Sequence, residues 1–382
     1  MIPFDYQPRT RIVFGPGKID TLGALAAELG ARRVLVVSDP GIVRAGHVER
    51  GRASLAKAGL DAELFDGVQE NPTTQNVEVG AAAAADYRPD LIVGLGGGSS
   101  MDCAKGINFI HSGGGRMHDY WGVGKATQPM LPAIAVPTTA GTGSETQSFA
   151  LISDAKTHVK MACGDKKASF RVALLDPTLT VSQPPLVTAL TGIDAVAHAL
   201  ETYVTKVRNP LSLAFSREAW LLVGENFPRV LSEPENLDAR AGMQLGACFA
   251  GLAIENSMLG ATHALANPLT TRYGIVHGQA IGLMLPHVIR FNGAEYGDWY
   301  RDLLEGTGGA NGFDPGSGFE GLADFVAQMV HKAGLQGRLS QCGVEEAKLP
   351  ELAAEAAKQW TGTFNPRRVG EAELLSLYKA AY

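Results

Sequence analysis

The chain has 382 residues, of which 45% are hydrophobic and 19% are charged, and its formal net charge is -6. This length favours two domains over one continuous core, and the composition excludes a disordered chain. An acidic balance without a Lys/Arg cluster excludes a nucleic-acid partner. Since no apolar run approaches the roughly 20 residues that span a bilayer, we expect a cytoplasmic protein without a membrane segment.

The first half of the sequence alternates short apolar runs with helical stretches. The runs are rich in β-branched residues and end in polar or glycine turns, which is typical of strands. Strands are predicted at residues 33–39, 63–65, 90–94, 133–136, 149–153, 159–163 and 172–175. Helices are predicted at residues 42–58, 77–85 and 101–109. This alternation predicts a Rossmann-like α/β domain around a parallel sheet.

The pattern changes after Asp176-Pro177. From Pro184-Pro185 onward, apolar residues recur at helical spacing. Helices are predicted over residues 196–204, 213–223, 239–252 and 322–330, with a surface loop at residues 306–318. We therefore expect an α/β domain over residues 1–180 and an all-α domain over residues 181–382, with the site in a cleft between them.

A glycine cluster follows the predicted strand 90–94 and precedes a helix. It reads Gly94-Leu95-Gly96-Gly97-Gly98-Ser99-Ser100-Met101-Asp102. Backbone N–H groups of such a loop converge at the helix N-terminus, where they can bind a diphosphate. The cluster departs from the G-x-G-x-x-G pattern because Ser99 takes the last glycine position, and a tight turn without a ligand remains the alternative.

Two further segments at predicted strand ends carry polar side chains suited to a nucleotide. Asp39 ends the first strand, where a carboxylate can accept hydrogen bonds from ribose hydroxyls and would repel a 2′-phosphate, which favours NAD over NADP. An ordinary turn before Pro40-Gly41 is the alternative for Asp39. The run Pro137-Thr138-Thr139-Ala140-Gly141-Thr142-Gly143-Ser144-Glu145 supplies hydroxyls after the strand 133–136.

The second half contains a candidate metal site. Thr191 is a predicted helix N-cap, and Asp194 and His198 follow it four residues apart on one helical face. His263 lies in a helix of small and apolar residues and His277 at a loop-to-helix junction, so each imidazole needs a partner. One carboxylate and three imidazoles can hold a borderline divalent cation, Fe(II) or alternatively Zn(II). By themselves, Asp194 and His198 could instead form a surface hydrogen bond.

These residues carry a resemblance to a known family. The stretch Asp194-x-x-x-His198-x-x-Glu201, together with His263 and His277, resembles the metal-ligand pattern of the iron-dependent (group III) alcohol dehydrogenases, and the likeness extends over nearly the whole chain. The resemblance implies that Asp194, His198, His263 and His277 bind the metal. It also implies a dehydroquinate synthase-like architecture, in which a helical domain follows the α/β domain.

The resemblance further implies a set of nucleotide contacts. Gly96-Gly97-Gly98-Ser99 with Asp102 and Lys105 looks like the family's GGGSxxDxxK signature, and residues 137–145 are similar to its PTTxGTxSE element beside the adenine and nicotinamide. Asn71 matches a family motif near the cofactor, and Lys160 aligns with a lysine that reaches it. Without the resemblance, Asn71 reads as a simple turn and Lys160 as an exposed residue of an edge strand. The implied cofactor-binding residues are Asp39, Asn71, Gly97, Gly98, Ser99, Asp102, Thr138, Thr139, Thr142 and Lys160.

The implied activity is the metal-dependent, NAD-linked interconversion of a small primary alcohol or diol with its aldehyde by hydride transfer, in a homodimer or higher homo-oligomer. The metal ligand His277 and the residue Asn267 are expected nearest the chemistry. Relatives often have a second histidine where this chain has Asn267. Because an amide does not titrate near neutral pH, protons would leave through water or cofactor hydroxyls.

Two alternative functions are compatible with the sequence. A polyol or polyol-phosphate dehydrogenase or lyase could use the same scaffold, but a phosphorylated substrate would need basic residues around the metal, and the sequence shows no such cluster near Asp194, His263 or His277. A noncatalytic nucleotide- or metal-binding regulator is the other alternative. Turnover of NADH with an aldehyde would separate it from an enzyme.

Overall fold

The computed structural model describes residues 3–306 and 313–382, and its first half is built from short strands joined by helices. The strands are β1 Arg11–Phe14, β2 Arg33–Val37, β3 Asp61–Phe65, β4 Leu91–Gly96, β5 Gly122–Val123, β6 Ala133–Pro137, β7 Phe149–Ser153, β8 Lys160–Gly164 and β9 Val172–Leu175. Six of those described strands form a parallel sheet in the order β1-β9-β6-β4-β2-β3. A second, three-stranded sheet has the order β5-β8-β7.

Helices cover the parallel sheet and account for its burial. They are α1 Leu22–Glu28, α2 Pro40–Arg44, α3 His47–Lys57, α4 Thr74–Tyr87 and α5 Gly98–Gly113. All residues of β4 and β6 are buried, as expected for central strands with a helical layer on each face. In register, Val37 of β2 lies beside Gly94 of β4, so the segments that follow these two strands emerge at the same edge of the sheet.

The second half of the described chain is helical. Its helices are α6 Pro185–Val204, α7 Pro210–Ser232, α8 Leu237–Asn256, α9 Ala261–Tyr273, α10 His277–Glu305, α11 Gly318–Lys332, α12 Leu349–Ala356 and α13 Glu371–Ala380. None of the helices in residues 3–306 and 313–382 has the length and apolar character needed to cross a membrane. The predicted fold class, a parallel α/β half followed by an all-α half, is confirmed.

The chain divides into two compact units. Gln7–Thr139 and Gly143–Gln183 form the first, which we call the sheet unit. Ala140–Thr142 and Pro184–Tyr382 belong to the second, the helical unit, together with the described residues before Gln7. The loop after β6 therefore contributes three of its residues to the helical unit.

Two local predictions are wrong. The predicted helix 42–58 is interrupted, because Gly46 adopts a left-handed conformation with φ 80 between α2 and α3. Thr191 does not cap a helix: α6 begins six residues earlier, at Pro185, where proline's fixed φ suits the first turn. Thr191 lies inside α6 and donates its hydroxyl to the carbonyl of Val187.

The loop predicted at residues 306–318 is described only in part. Residues 307–312 lie outside the described residues, so the prediction for them stays a prediction. Pro315–Ser317 form a 3-10 turn, and α11 begins at Gly318.

A buried carboxylate joins the two ends of the sheet unit. Asp176 follows β9 and is fully buried. Its Oδ1 accepts hydrogen bonds from Gly17 N at 3.0 Å, from Thr178 N at 3.0 Å and from Thr178 Oγ1 at 2.7 Å. Its Oδ2 accepts from Ile19 N at 3.1 Å. Asp176 thereby fixes the turn after β1 beside the end of β9.

We expect Asp176→Asn to destabilise the fold. An amide has one acceptor oxygen in place of two, so at least one buried N–H group loses its partner, which costs about 1–3 kcal/mol. Urea unfolding should show a lower midpoint with an unchanged slope. An unchanged midpoint would mean that these hydrogen bonds do not stabilise the sheet unit.

Candidate metal and nucleotide sites

Three helices of the helical unit bring the predicted metal ligands together. Asp194 and His198 lie in the middle of α6, His263 lies in the first turn of α9, and His277 is the first residue of α10. The Oδ1 atom of Asp194 is 3.4 Å from His198 Nε2, 3.6 Å from His263 Nε2 and 3.7 Å from His277 Nε2. Three imidazoles therefore surround one carboxylate oxygen.

The cluster has the properties of a cation site. Asp194 Oδ1 is buried and accepts no hydrogen bond from any residue in the described part of the chain. His198 Nε2 and His263 Nε2 are 3.1 Å apart. Ligands bound tetrahedrally at about 2.1 Å from a cation are separated by about 3.4 Å. Asp194, His263 and His277 offer ligand atoms that all lie within 4.8 Å of one another, and His198 lies beside Asp194 and His263 at separations of 3.4 and 3.1 Å, near that spacing. The group therefore fits a divalent metal ion.

Hydrogen bonds on the far side of two imidazoles orient them. His198 Nδ1 donates to the carbonyl of Gly141 at 3.1 Å, and His263 Nδ1 donates to Glu201 Oε2 at 2.5 Å. In both rings, a proton on Nδ1 leaves a lone pair on Nε2, the atom that points into the cluster. Gly141 leaves no room for a side chain, since a Cβ there would lie 2.5 Å from the Thr191 carbonyl oxygen.

Burial and mutual charge govern ionisation in the cluster. Burial acts to raise the pKa of Asp194 and of Glu201, but the neighbouring histidines hold the pKa of both carboxyls below their ordinary values. Burial lowers the pKa of His198. Burial also acts against the charged form of His263, yet Glu201 and Asp194 raise the pKa of that ring to about 9. The interior thus holds two carboxylates that favour a nearby positive charge.

The glycine cluster occupies the junction between β4 and α5. Gly96 ends β4 with φ 151, and a Cβ at that position would lie 2.4 Å from Ser100 Oγ. Gly97 precedes the helix, and Gly98 and Ser99 form its first turn. Their N–H groups point out of the helix N-terminus, where no helical carbonyl can accept from them. This geometry suits a diphosphate, as predicted.

Side chains from the loop after β6 lie beside this junction. A Cβ at Gly97 would lie 3.2 Å from Thr139 Cγ2. The hydroxyls of Thr138 and Thr139 are buried, and within the described residues they find no hydrogen-bond partner. Two such hydroxyls beside a glycine loop are suited to a bound ligand.

Asp39 caps a helix with one carboxylate oxygen and places the other beside the glycine junction. Its Oδ1 caps α2 by accepting from Gly41 N at 2.8 Å and Ile42 N at 3.1 Å. Its Oδ2 lies 3.4 Å from Ser100 Oγ, on the side of the glycine junction. The cap leaves Oδ2 able to accept from a ribose hydroxyl.

Asp102 and Lys105 bind the loop after β6 to α5. Asp102 Oδ1 accepts from Ser144 Oγ at 2.6 Å. Lys105 is buried, and its ammonium donates to the Ser144 carbonyl at 2.7 Å and to the Phe149 carbonyl at 2.7 Å. Asp102, predicted to bind the cofactor, is thus part of the network that fixes this loop.

Four other residues were predicted to contact the cofactor or the substrate, and each lies in a different element or loop. Asn71 has φ 51 in the turn before Pro72. Lys160 begins β8, which is the central strand of its sheet and not an edge strand. Thr142 belongs to the helical unit, whereas Thr138 and Thr139 belong to the sheet unit. Asn267 lies one turn after His263 in α9 and donates its amide to Gln359 Oε1 at 3.0 Å.

Sequence reasoning assigned no role to Glu201, Gly141 or Lys105. Glu201 ends the Asp194-x-x-x-His198-x-x-Glu201 stretch, and Lys105 ends the GGGSxxDxxK signature. Each is a charged residue in an otherwise apolar helical stretch, and this pattern could have indicated a buried, paired charge. Their partners lie far away in the chain, at His263 and Ser144.

Comparisons with known proteins cover the whole chain. The model of the iron-containing alcohol dehydrogenase family matches residues 8–177, and the C-terminal model of the Fe-containing alcohol dehydrogenase family matches residues 188–382. The chain is 34% identical to a 1,3-propanediol dehydrogenase of Citrobacter freundii over 382 residues, which are 99% of each chain.

Solved structures show the same likeness. A 1,3-propanediol oxidoreductase superposes with a TM-score of 0.94 at 33% identity and covers 100% of each chain. A sulfoacetaldehyde reductase from Bifidobacterium kashiwanohense, solved in complex with NAD+, has a TM-score of 0.91 at 28% identity, and the match covers 100% of this chain and 99% of that one.

We expect metal ions to stabilise the protein through Asp194. A ligand that binds only the folded state at a thousandfold excess over its Kd adds about 4 kcal/mol of stability. Zinc or ferrous ions added to chelator-treated protein should therefore raise the Tm measured by calorimetry, and Asp194→Ala should abolish the rise.

Asp324→Ala is the matched control, because Asp324 is an exposed carboxylate of the same unit, paired with Arg290. It should keep the full rise in Tm. An equal rise in the Asp194→Ala protein would place the bound metal elsewhere.

Proposed function

The chain belongs to the iron-containing alcohol dehydrogenase family, and on that premise we propose that it interconverts a small primary alcohol or diol with the corresponding aldehyde, using NAD as the hydride carrier. The family matches confirm the resemblance and the alcohol dehydrogenase activity predicted from the sequence. The observation that carries the proposal is the convergence of three imidazoles on Asp194 Oδ1.

We propose that Asp194, His198, His263 and His277 hold the family's iron as Fe(II), with Zn(II) as the alternative that the same donors accept. A divalent cation supplies Lewis-acid polarisation of a hydroxyl or carbonyl oxygen when it is bound. Asp194 contributes one negative charge, and the three imidazoles coordinate in their neutral form. The outward hydrogen bonds of His198 and His263 hold those rings in the required tautomer.

The nucleotide is proposed to bind through the sheet unit. Gly97, Gly98 and Ser99 offer backbone N–H groups to the diphosphate, because they stand at the N-terminus of a long helix. The hydroxyls of Thr138 and Thr139 are available for further hydrogen bonds. Roles in cofactor binding for Asn71, Asp102, Thr142 and Lys160 rest on the family resemblance.

Asp39 is proposed to select the nucleotide. A carboxylate at the end of β2 accepts from ribose hydroxyls and repels the additional phosphate of NADP. NAD is therefore the cofactor that this sequence favours.

We propose that Asn267 takes no part in transferring the alcohol proton. An amide neither gains nor loses a proton near neutral pH, and the Asn267 amide is already engaged by Gln359. The alcohol proton would then leave through water or the hydroxyls of the nucleotide.

We expect His277→Ala to abolish turnover while NAD binding persists. His277 begins α10 and is partly accessible, so its loss removes a metal ligand without opening a cavity in the core. Turnover is measured by NADH absorbance, metal content by elemental analysis and nucleotide affinity by NADH fluorescence. His331→Ala, an exposed histidine of α11, should match the wild type. Full activity of His277→Ala without bound metal would contradict the assignment.

We expect Asp39→Gly to raise the use of NADP relative to NAD by about tenfold, which corresponds to removing about 1.4 kcal/mol of repulsion. Glycine is a tolerated helix cap, so the loss of the cap costs only about a few tenths of a kcal/mol. The measurement is kcat/KM for each nucleotide.

Asp39→Asn separates charge from capping in the same position. Asparagine caps as well as aspartate but carries no charge, so it should shift the preference in the same direction. If both variants kept the wild-type preference, Asp39 would act only as a helix cap.

A further inference from the structure

Glu201 is a buried carboxylate beside the metal ligands that is not itself among the predicted ligands. It lies one turn after His198 in α6. Its Oε2 is 2.5 Å from His263 Nδ1, and its Oε1 accepts from the backbone N–H of Thr262 at 2.7 Å. Each oxygen thus contacts a different donor on the first turn of α9.

These contacts determine which nitrogen of His263 carries the proton. An ionised carboxylate can only accept hydrogen bonds, so His263 must donate from Nδ1. In the neutral ring, the lone pair then lies on Nε2, which is 3.6 Å from Asp194 Oδ1. The opposite tautomer would place a proton on the atom that faces the cluster.

The second contact fixes the backbone that carries the ring. The N–H of Thr262 belongs to the first turn of α9, where no helical carbonyl can accept from it, and Gly260 before the helix offers no side-chain cap. Glu201 caps this helix from α6. A Cβ at Gly260 would lie 3.0 Å from Glu201 Oε1, so glycine there gives the carboxylate room.

We propose that Glu201 is a positioning residue that holds His263 in the metal-binding tautomer and orientation, and thereby sets the metal affinity of the site. This inference rests on the metal ligands of the proposed function. Partners of metal-binding histidines typically contribute a factor of about 10–100 to metal affinity.

Glu201→Gln tests the proposal because glutamine has nearly the same shape but one acceptor oxygen for two donors. If that oxygen accepts from Thr262, the NH2 group faces His263 Nδ1 and favours the tautomer with the proton on Nε2. If it accepts from His263, the N–H of Thr262 loses its partner and the start of α9 is released. Both arrangements impair the presentation of Nε2.

The experiment measures zinc affinity by competition with a chromophoric chelator, which requires no turnover. We expect Glu201→Gln to bind zinc about 10–100 times more weakly than the wild type, and its cobalt-substituted form to show altered absorption bands. Asp176→Asn is the matched control, since it also replaces a buried carboxylate that accepts from backbone N–H groups, but in the sheet unit. It should lower the unfolding midpoint and keep zinc affinity within twofold. NADH fluorescence verifies that each variant is folded.

Zinc affinity of Glu201→Gln within twofold of the wild type, with unchanged cobalt bands, would overturn the proposal. If the wild type itself bound zinc no better than Asp194→Ala, the proposed metal site would fail instead, so the two failures are distinguishable. Should Glu201→Gln not fold, NMR of the zinc-loaded wild type decides: the Nδ1 proton of His263 should be shifted far downfield and exchange slowly because it is held by Glu201, and an Nδ1 proton that exchanges freely with water would refute the inference.

Discussion

The interior of the helical unit contains a cluster of ionisable side chains, and the cost of burying them must be compensated by their partners. Asp194, His198, Glu201 and His263 are all buried, and burying ionisable groups without compensation is costly. Outward-facing atoms of the cluster find protein partners at Gly141, Glu201 and Thr262. The inward-facing atoms lie around Asp194 Oδ1, where a bound metal ion would interact with the carboxylate oxygen and with imidazole lone pairs together.

The packing of helices at small residues brings these atoms together. A Cβ at Gly278 would lie 2.2 Å from the carbonyl oxygen of Leu190, so α10 approaches α6 at the residue that follows His277. Gly141 packs against α6 at Thr191 in the same manner and places its carbonyl at His198. Larger side chains at these two glycines would push His277 and His198 away from the ligand positions. The small residues beside the ligands are therefore part of the site.

The sequence predicted the elements because they depend on local pattern, and it predicted the residues that the structure brings around Asp194 because their types and spacing carry the family resemblance. Apolar periodicity located the strands, and histidines flanked by small and apolar residues pointed to a shared cation. The prediction of a helix N-cap at Thr191 was wrong. A hydroxyl residue shortly before an acidic residue is typical of an N-cap, but α6 begins earlier, at Pro185. Glu201 and Lys105 could not be assigned, since their roles depend on Thr262, His263 and Ser144, which the tertiary fold brings to them.

Charge balance connects the ligands with the residues that support them. Asp194 and Glu201 place two negative charges in the interior, and a divalent cation held there would balance them while the imidazoles stayed neutral. Without a metal ion, a proton on His263 can compensate part of this negative charge. Burial acts to lower the pKa of His263, but Glu201 and Asp194 outweigh burial and raise that pKa to about 9. A proton and a metal ion therefore satisfy the same electrostatic requirement, and a bound metal must displace the proton from His263 Nε2. Because Glu201 accepts from the other ring nitrogen, His263 would keep its ring orientation when a metal ion replaced the proton on Nε2.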